Sequence, residues 1–336
     1  MSWPRRRVRV RVPATSANLG PGFDALGLAL SLHDVVEAEI TGSGLAIEVS
    51  GEGEGVAAAG ERHLVVRAMR AAFAATAGEQ PPGLALRCQN AIPQGRGLGS
   101  SAAAVVAGLL AARALAGAQD PESSAGGVSP DGPRSEPLPD DALLALAANL
   151  EGHADNAAAC LAGGLIVTWN PGTGPRAVRL DPLPAIVPVL CVPAESIPTT
   201  AARRALPPTV PHADAAASAG RAALLVTALI QSPDLLLDAT QDVLHQPYRA
   251  PLMPATADLI ARLRDAGIAA VLSGAGPSVL ALTVRGKTRG SGKVDSIAGQ
   301  AGRQWHVSPL DVDRQGATIA FVPSDGRFPN TRTART

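Results

Sequence analysis

The chain has 336 residues, 46% hydrophobic and 17% charged, so it contains enough apolar sequence for one large domain or two of ordinary size. Lys plus Arg equal Asp plus Glu at 29 each, and this zero formal charge does not favour nucleic acid or an acidic membrane surface as a partner. No apolar run approaches the ~18 residues that a membrane span needs. Three widely spaced cysteines fit a reducing compartment, so we expect a cytoplasmic enzyme.

The N-terminal half combines strands with helices. Alternating Arg and Val over Arg5–Val12 predict a solvated edge strand with a charged outer face, and Pro13–Asp24 predicts a long loop after it. Further predicted elements are a helix over Leu64–Ala77, a strand over Leu84–Gln89, a Pro/Gly loop over Asn90–Leu98, an apolar helix over Ser100–Leu115, and helices over Ala142–Leu150 and Ala157–Leu161.

The segment Gly117–Asp141 differs in composition from its surroundings. Thirteen of its 25 residues are Gly, Pro or Ser and six are acidic, so it buries too little apolar surface to offset the entropy of ordering. We expect a disordered surface insertion over 117–141 and a second disordered segment at the C-terminal tail.

The C-terminal half predicts strands over Leu165–Trp169 and Ile186–Val192, helices over Ala213–Ile230 and Pro254–Ala266, and strands over Ala269–Leu272 and Val279–Val284. Strands and helices do not alternate regularly along the chain. This order favours an α+β fold over a doubly wound parallel sheet.

The loop over Pro93–Ala103 is the strongest functional signal. Gly95, Gly97 and Gly99 leave the backbone N–H groups free to converge on an anion, and the loop leads into the positive end of a helix. Ser100 and Ser101 can cap that helix or contact phosphate and Mg²⁺. The loop lacks the Gly-Lys-Ser/Thr of a Walker A motif. A phosphate site and a plain Gly-rich turn before a buried helix both remain open from these residues.

Three other segments carry polar groups in apolar surroundings. Asn18 and Asp24 lie in the first loop and are suited either to an amino alcohol or to an Asx-turn. The run Glu151–Asn156 favours a site because buried polar groups need partners, whereas its spacing does not suit zinc. The turn Leu272–Ser278 is compatible with close approach of a ligand or with an ordinary hairpin.

Arginines near the C-terminal strands are candidates for carboxylate recognition. Arg204 lies four residues after Thr200, and Arg249 follows Gln246-Pro247-Tyr248. A guanidinium group can hold a carboxylate through two hydrogen bonds, but an arginine taken alone is more often a surface charge, and only the other motifs favour a binding role here.

The order and content of these segments resemble the GHMP kinases, named for galactokinase, homoserine kinase, mevalonate kinase and phosphomevalonate kinase. Pro93–Ala103 matches every fixed position of the family motif PxxxGLGSSAA, and Ser273–Ser278 matches its Gly-rich C-terminal motif. The resemblance covers residues 8–310 and implies a GHMP kinase fold, with an N-terminal subdomain like ribosomal protein S5 domain 2 and a ferredoxin-like α/β C-terminal subdomain.

The resemblance also implies a domain division. Residues 5–185 would form the N-terminal ATP-binding domain, which carries the disordered insertion 117–141. Residues 186–322 would form the C-terminal domain, and 323–336 a disordered tail.

Within the family, three segments resemble the homoserine-phosphorylating members of actinobacterial type. These are Ser16–Asp24, Glu151–Asn156 and His245–Arg249. The resemblance implies ATP-dependent phosphorylation of L-homoserine, a step towards threonine, with Mg²⁺ required and a homodimer as the assembly.

Carried over position by position, the resemblance implies roles for named residues. The implied ATP-binding residues are Pro93, Gln94, Gly95, Arg96, Gly97, Leu98, Gly99, Ser100, Ser101, Ala102 and Ala103. The implied substrate-binding residues are Asn18, Asp24, His153, Asn156, Thr200, Arg204, Arg249 and Gly274. The implied catalytic residues are Asn18 and Asp24, as weak proton acceptors, and Asp155, which stands where some relatives have a catalytic Asp.

The implied metal ligands are Ser101 and an acidic residue near Glu151. The family often has Glu-x-Glu-Gly here, whereas this chain has Asn149-Leu150-Glu151-Gly152. Either Glu151 or Asn149 therefore holds the metal, and an amide ligand would bind it more weakly. Two alternatives stay open: a GHMP kinase acting on mevalonate or a sugar, and a catalytically impaired GHMP-fold binding protein.

Overall fold

Two β-sheets with helices packed on them form the fold in a computed structural model, which describes residues 3, 6–76, 78–117, 138–286, 290–302 and 304–323. The first sheet is built on two long antiparallel strands, β1 (Arg7–Ala17) and β2 (Leu26–Thr41). Its other strands are β3 (Gly44–Gly51), β4 (Gly83–Asn90), β5 (Leu165–Trp169), β6 (Arg176–Leu180) and β11 (Thr318–Val322).

The strand order of this sheet is β11-β1-β2-β4-β3, with β5 also paired to β2 and β6 to β5. β1 is therefore an inner strand rather than the predicted edge strand. Its valines Val8, Val10 and Val12 are fully buried, as period-two alternation requires. The arginine face is only partly solvated, because Arg7 is buried against Glu39 and Arg9 pairs with Glu37.

Four helices cover the first sheet and complete its core. They are α1 (Leu64–Thr76), α2 (Ser100–Gly117), α3 (Asp140–Glu151) and α4 (Asp155–Ala162), and a 3-10 helix over Glu54–Arg62 precedes α1. α2 is apolar on all sides because it is enclosed by α1, α3, α4 and the sheet. Its N-terminus lies at the end of the Gly-rich loop.

The second sheet has the order β10-β7-β9-β8. Its strands are β7 (Ile186–Pro193), β8 (Ala269–Leu272), β9 (Val279–Val284) and β10 (Trp305–Pro309). The helices of this half are α5 (Thr199–Arg204), α6 (His212–Ile230), α7 (Leu236–Ala239), α8 (Gln246–Arg249), α9 (Pro254–Asp265) and α10 (Ser291–Gly299), with 3-10 helices over Pro233–Leu235 and Ala250–Leu252.

Two loop predictions were wrong in their bounds. The segment 13–17 is not loop, because β1 continues to Ala17 across an irregularity in register between Pro13 and Ala14. The ends of the insertion predicted over 117–141 are helical instead, since α2 includes Gly117 and α3 begins at Asp140. Its part 118–137 and the tail 324–336 lie outside the described residues.

Two helices in the described part of the chain, α2 and α6, are long and apolar enough to cross a membrane by length and composition. This finding does not support the expectation that every apolar stretch falls well short of a span. It is weak support for a membrane span, because helices of a folded core pass the same test. α2 is such a core helix, with 61% of its span buried, whereas α6 is 22% buried.

Candidate active site

The Gly-rich loop between β4 and α2 is held by three distant segments. Thr15 of β1 donates its N–H to the Leu98 carbonyl at 3.0 Å. Ile197 donates its N–H to the Gly95 carbonyl at 3.0 Å, and the Ser273 hydroxyl donates to the Gly97 carbonyl at 2.7 Å. The carbonyls point into the protein, which leaves the loop with a fixed conformation before any ligand binds.

Two glycines of the loop are required by its geometry. Gly97 has φ +74° and Gly99 has φ +67°, both in the left-handed region. A Cβ on Gly97 would overlap the Ser273 carbonyl oxygen, and one on Gly99 would overlap the Thr15 hydroxyl. The loop thus lies in direct contact with both β1 and the turn after β8.

A cavity of about 320 Å³ lies beside the loop. Its floor is formed by β1, β2 and β4, and its walls by the 3-10 helix before α1 and the first turn of α2. Ser100, Ser101 and Gly95 from the loop side line it together with Ala104. A mostly apolar cavity beside a Gly-rich loop and a helix N-terminus suits a nucleotide, with the base in the cavity and phosphates at the loop.

Glu151 and Ser101 meet at the mouth of this loop. Ser101 Oγ donates to Glu151 Oε2 at 2.7 Å. Asn149 is exposed, and its side chain makes no hydrogen bond to any residue within the described ranges. Residues two positions apart on a helix point about 200° apart, so α3 can present only one of them to the loop. That residue is Glu151.

The loop between β1 and β2 is strained in the way that binding loops often are. Asn18, Leu19 and Asp24 have positive φ of 69°, 50° and 53°. Asn18 Nδ2 donates to the Gly274 carbonyl at 2.8 Å, and its Oδ1 accepts the Asp24 N–H at 3.0 Å. Asn18 therefore joins this loop to the Gly-rich turn after β8 and fixes the backbone of Asp24.

Asp24 forms a two-pronged ion pair with Arg203 of α5. The two nitrogen–oxygen distances are 2.7 and 3.1 Å, and the Arg203 and Asp24 side chains are 49% and 39% exposed. Arg203 also lies 5.6 Å from the ring centre of Phe23. The neighbouring Arg204 is exposed, and its side chain has no hydrogen bond or ion pair to any described residue. The structure thus brings Arg203, not Arg204, to Asp24.

Arg249 enters the same region from α8 and is buried. Its Nε donates to the Ala202 carbonyl and its Nη1 to the Gly274 carbonyl, both at 3.2 Å, while Phe23 lies 5.4 Å from the guanidinium. Burial, with Arg203 adding a like charge, lowers the pKa of Arg249 to about 10. Arg249 remains cationic at neutral pH, because that value is still well above 7. Two guanidinium groups therefore lie around Phe23, one buried and one half-exposed.

His245 contacts the Arg249 guanidinium and helps to hold it in place. It is fully buried, and its Nε2 lies 2.9 Å from the Gly20 carbonyl and its Nδ1 3.2 Å from Arg249 Nη1. Burial lowers the pKa of His245 to about 4, so the ring is neutral at physiological pH. A neutral Nδ1 can accept a hydrogen bond from Arg249, with Nε2–H donated to Gly20.

The segment between α3 and α4 forms a further connected group. His153 Nδ1 lies 2.9 Å from Asp155 Oδ1, and the Thr15 hydroxyl donates to Asn156 Oδ1 at 2.8 Å. The hydrogen bond to Asp155 raises the pKa of His153 above its usual value, against the effect of burial. Asp155 is buried and its Oδ1 also accepts the Asn156 N–H at 2.7 Å. Asp155 thus orients His153.

The residues predicted from sequence form three contact groups. Asn18, Asp24, Arg249 and Gly274 lie together, and Ser101 lies beside Glu151. His153, Asp155 and Asn156 form the third group. Asn149, Thr200 and Arg204 are exposed and join none of the three. Sequence reasoning missed Arg203 as a partner of Asp24, although its position next to Arg204 made it an equal candidate. It also missed Thr15, which donates its backbone N–H to the loop and its hydroxyl to Asn156.

The chain belongs to the GHMP kinase family. Residues 63–164 match the model of the GHMP kinases N terminal domain, and residues 225–306 match that of the GHMP kinases C terminal domain. The predicted family and its α+β fold are confirmed, and membership of a kinase family implies ATP as the phosphoryl donor. The first match contains the Gly-rich loop, and the second contains the turn over Leu272–Ser278 that contacts it.

Curated relatives at high identity are named homoserine kinase. That of Streptomyces avermitilis is 52% identical over 312 residues, which cover 93% of this chain and 95% of the relative. That of Clavibacter michiganensis is 46% identical and covers 94% of this chain and 95% of the relative. The resemblance to actinobacterial relatives is thereby confirmed.

Solved structures show the same fold over nearly the whole chain. The crystal structure of homoserine kinase from Cytophaga hutchinsonii has a TM-score of 0.74 at 26% identity and covers 95% of this chain and 99% of that one. Streptococcus pneumoniae phosphomevalonate kinase, solved with phosphomevalonate and AMPPNP, has a TM-score of 0.63 at 14% identity, with 90% and 99% covered. At that identity the second likeness concerns the fold alone.

Proposed function

We propose that this chain transfers the γ-phosphoryl group of ATP to the hydroxyl of L-homoserine, giving O-phospho-L-homoserine, ADP and a proton on the route to threonine. The names of its relatives support this reaction. The observation that carries it is the ion pair between Asp24 and Arg203, next to the buried Arg249. A free amino acid carries an ammonium and a carboxylate, which such a constellation can bind together.

The acceptor rivals fit this constellation less well. Mevalonate has a carboxylate and no ammonium group, and a sugar such as galactose has neither. Either would leave Asp24 or the arginines without a matching charge on the ligand, which costs binding energy in a partly buried site. The amino acid can separate Asp24 from Arg203 and satisfy both.

We assign the carboxylate of homoserine to Arg203 and Arg249, with Arg203 in place of the Arg204 and Thr200 expected from sequence. The ammonium group lies at Asp24, and His153 and Asn156 lie on the hydroxyl side. Arg249 is suited to its role because Nη2 makes no hydrogen bond to any residue in the part of the chain that the structure describes. The other nitrogens hold the guanidinium in place.

ATP occupies the cavity beside the Gly-rich loop, with its phosphates at the N-terminus of α2. The loop backbone and the helix end supply N–H groups and positive potential to the phosphates. A substitution that narrows the cavity tests this assignment. Ala104→Leu places a larger side chain of good helix propensity at its wall. It is expected to raise the KM for ATP several-fold and to leave the KM for homoserine unchanged.

Ser101 and Glu151 are the residues that would hold Mg²⁺. Their hydroxyl and carboxylate oxygens are the donors that this ion prefers, and they lie 2.7 Å apart at the phosphate end of the loop. No cluster of three acidic, His or Cys side chains suited to a metal exists among the described residues. This suits an ion shared between protein and phosphates. The bound ion would neutralise charge on the β- and γ-phosphates.

The geometry favours positioning over strong base catalysis. The Asn18 side chain is engaged in the Gly274 and Asp24 bonds, and Asp155 is committed to His153. Phosphoryl transfer through a loose transition state depends mainly on alignment and charge neutralisation, and the alcohol proton becomes acidic late in the step. Asp24 is ion-paired with Arg203 and is assigned here to the ammonium group, so it too acts by positioning the substrate rather than as a strong base.

A coupled ADP-release assay with homoserine, mevalonate and galactose, each with MgATP, tests the proposed reaction. Turnover is expected with homoserine and only background with the other two. Turnover with mevalonate or galactose alone would assign a different acceptor. No turnover with any of the three would favour a binding protein that has lost catalysis.

We also propose a cytoplasmic homodimer. Cys88, Cys160 and Cys191 are free and buried, which suits a reducing compartment, and burial raises the pKa of each thiol. Trp169 and Val178, diagonal neighbours across the β5–β6 hairpin, are 50% and 45% exposed and offer apolar surface to a second copy. Sedimentation of the full chain at micromolar concentration distinguishes a dimer from a monomer.

A further inference from the structure

A buried carboxylate outside the residues assigned so far touches both the Gly-rich loop and the nucleotide cavity. Asp34 lies in β2 and is 6% exposed. Its Oδ1 accepts the backbone N–H groups of Ala91 and Ile92 at 2.7 and 2.9 Å. These residues connect β4 to the loop, so Asp34 fixes the point at which the chain enters Pro93–Leu98.

The second oxygen of Asp34 has no hydrogen-bond partner in the part of the chain that the structure describes. Oδ2 makes no hydrogen bond to any residue in the described ranges, and Asp34 lines the 320 Å³ cavity. Around it, Val12, Val36 and Val65 supply apolar surface. A carboxylate oxygen in such surroundings is a strong acceptor for a hydrogen-bond donor on a ligand.

The charge on Asp34 is costly to the fold. Burial raises the pKa of Asp34 to about 6, and the N–H groups of Ile92 and Ala91 offset this only in part. Glu52 raises this pKa further, whereas His33 lowers it. Since the pKa in the folded state exceeds the ordinary 3.8, stability falls as the pH rises from about 4 to about 6. At neutral pH the ionised carboxylate therefore destabilises the folded chain.

Anchoring the loop does not by itself require that charge. An asparagine has nearly the same shape, and its amide oxygen accepts the same two N–H groups. It would do so without a buried negative charge. A costly charge with one free oxygen, at the wall of a ligand cavity, is better explained by a ligand group than by the fold.

We propose that Asp34 binds the nucleoside of ATP: Oδ1 holds the entrance of the Gly-rich loop while Oδ2 accepts a hydrogen bond from a nucleoside donor. The donor is either a ribose hydroxyl or the exocyclic amino group of adenine. Carboxylates recognise ribose hydroxyls in the same way in dinucleotide-binding folds. The inference rests on the proposed nucleotide site and adds to it a residue that binds the nucleoside part of ATP.

The test compares two buried carboxylates that each accept two backbone N–H groups through one oxygen, while the second oxygen of Asp313 lies 2.6 Å from His33 Nε2. Asp313 is 8% exposed, and its Oδ1 accepts the N–H groups of Gln315 and Gly316 at 2.9 and 2.7 Å, away from the cavity. Burial raises the pKa of Asp313, but the bonds from His33, Gly316 and Gln315 outweigh it and the pKa is lowered. The variants are Asp34→Asn and, as the matched control, Asp313→Asn.

Steady-state kinetics and thermal unfolding give opposite expectations for the two variants. Asp34→Asn is expected to raise the KM for ATP about tenfold, the difference between a charged and a neutral acceptor, with the KM for homoserine unchanged. Its unfolding midpoint at pH 7 is expected to rise. Asp313→Asn is expected to lower the midpoint and to leave the KM for ATP unchanged. Failure of Asp34→Asn to fold would overturn the proposal, because removal of the buried charge should stabilise the chain.

Nucleotide analogues then identify the donor. If Asp34 accepts a hydrogen bond from a ribose hydroxyl, the KM for 2′,3′-dideoxy-ATP should be about tenfold higher than that for ATP with the wild type. The difference should be much smaller with Asp34→Asn. If Asp34 instead accepts from the amino group of adenine, inosine triphosphate should show this pattern. Equal losses in wild type and variant for both analogues would overturn the proposal, as would an unchanged KM for ATP. In that event Ala104→Leu still tests the nucleotide site, so the two hypotheses fail separately.

Discussion

Replacing Arg203 by alanine tests the acceptor site most directly, because an adjacent arginine provides the control. Arg203 reaches Asp24 with two bonds of 2.7 and 3.1 Å, whereas Arg204, one residue later on α5, is exposed. If Arg203 holds the homoserine carboxylate, Arg203→Ala must weaken homoserine binding and leave ATP binding intact. Arg204→Ala must do neither.

The size of the effect follows from the exposure of the pair. A hydrogen bond to a charged group contributes about 1.5–3 kcal/mol when buried. The Arg203 and Asp24 side chains are 49% and 39% exposed, so water screens them and the lower end applies. A loss of about 1.5–2 kcal/mol corresponds to a rise of roughly ten- to thirtyfold in the KM for homoserine. Arg203→Lys should give a KM for homoserine between those of the wild type and Arg203→Ala, since lysine keeps the positive charge but cannot donate two parallel hydrogen bonds to a carboxylate.

Initial-rate measurements with each substrate varied at saturating levels of the other provide the assay. We expect a change in the KM for homoserine for Arg203→Ala and less than a twofold change for Arg204→Ala. A tenfold effect confined to Arg204→Ala would restore the assignment made from sequence and refute the one made from the structure. Equal rises in both Michaelis constants would indicate a general disturbance of α5.

Two further predictions concern the metal and the buried histidine. Glu151→Gln should raise the Mg²⁺ concentration for half-maximal activity at least tenfold, while Asn149→Glu should change it less than twofold. If Asn149→Glu lowers that Mg²⁺ concentration by more, the metal ligand lies at position 149 instead. His245 has a folded-state pKa of about 4, below the ordinary 6.5, because it is buried, so the unfolded chain binds its proton first on acidification. Stability should therefore fall between pH 6.5 and 4, and denaturant titrations of His245→Gln should show a shallower fall; an equal slope would exclude this residue as the cause.

The Gly-rich loop and the helix after it could be predicted from sequence because their signals are local. Gly97 and Gly99 have the positive φ that glycine tolerates best, and α2 begins at Ser100 as expected. Every element of the loop lies within eleven residues, so spacing alone defines it. The distant groups that hold it, such as Thr15 and Ser273, could be grouped only by a family resemblance.

Helix phase could not be predicted at the points where single residues matter. Glu151 and Asn149 lie on opposite sides of the last turn of α3, and the choice depends on how α3 packs against α2. Arg203 and Arg204 differ by one position in α5, a six-residue helix too short to show a hydrophobic period. In both cases adjacent or near-adjacent residues of similar chemistry compete, and tertiary contacts decide between them.

The length of β1 also could not be predicted from the local sequence. Pro13 and the small polar residues after it indicate a loop by propensity, but the strand continues to Ala17 because β2 pairs with it throughout. The change of register between Pro13 and Ala14 accommodates the proline within the strand. Pairing between distant segments thus overrides local preference here.

The pairing of β11 with β1 has a consequence for how the chain is made. Thr318–Val322 is the last described strand, yet it joins the sheet that begins at Arg7. During synthesis, the outer edge of β1 stays open until the ribosome has released almost the whole polypeptide. An open strand edge can pair with other chains. Truncations near residue 310 should therefore yield a protein that aggregates during expression, even though every residue of the candidate active site has already been translated.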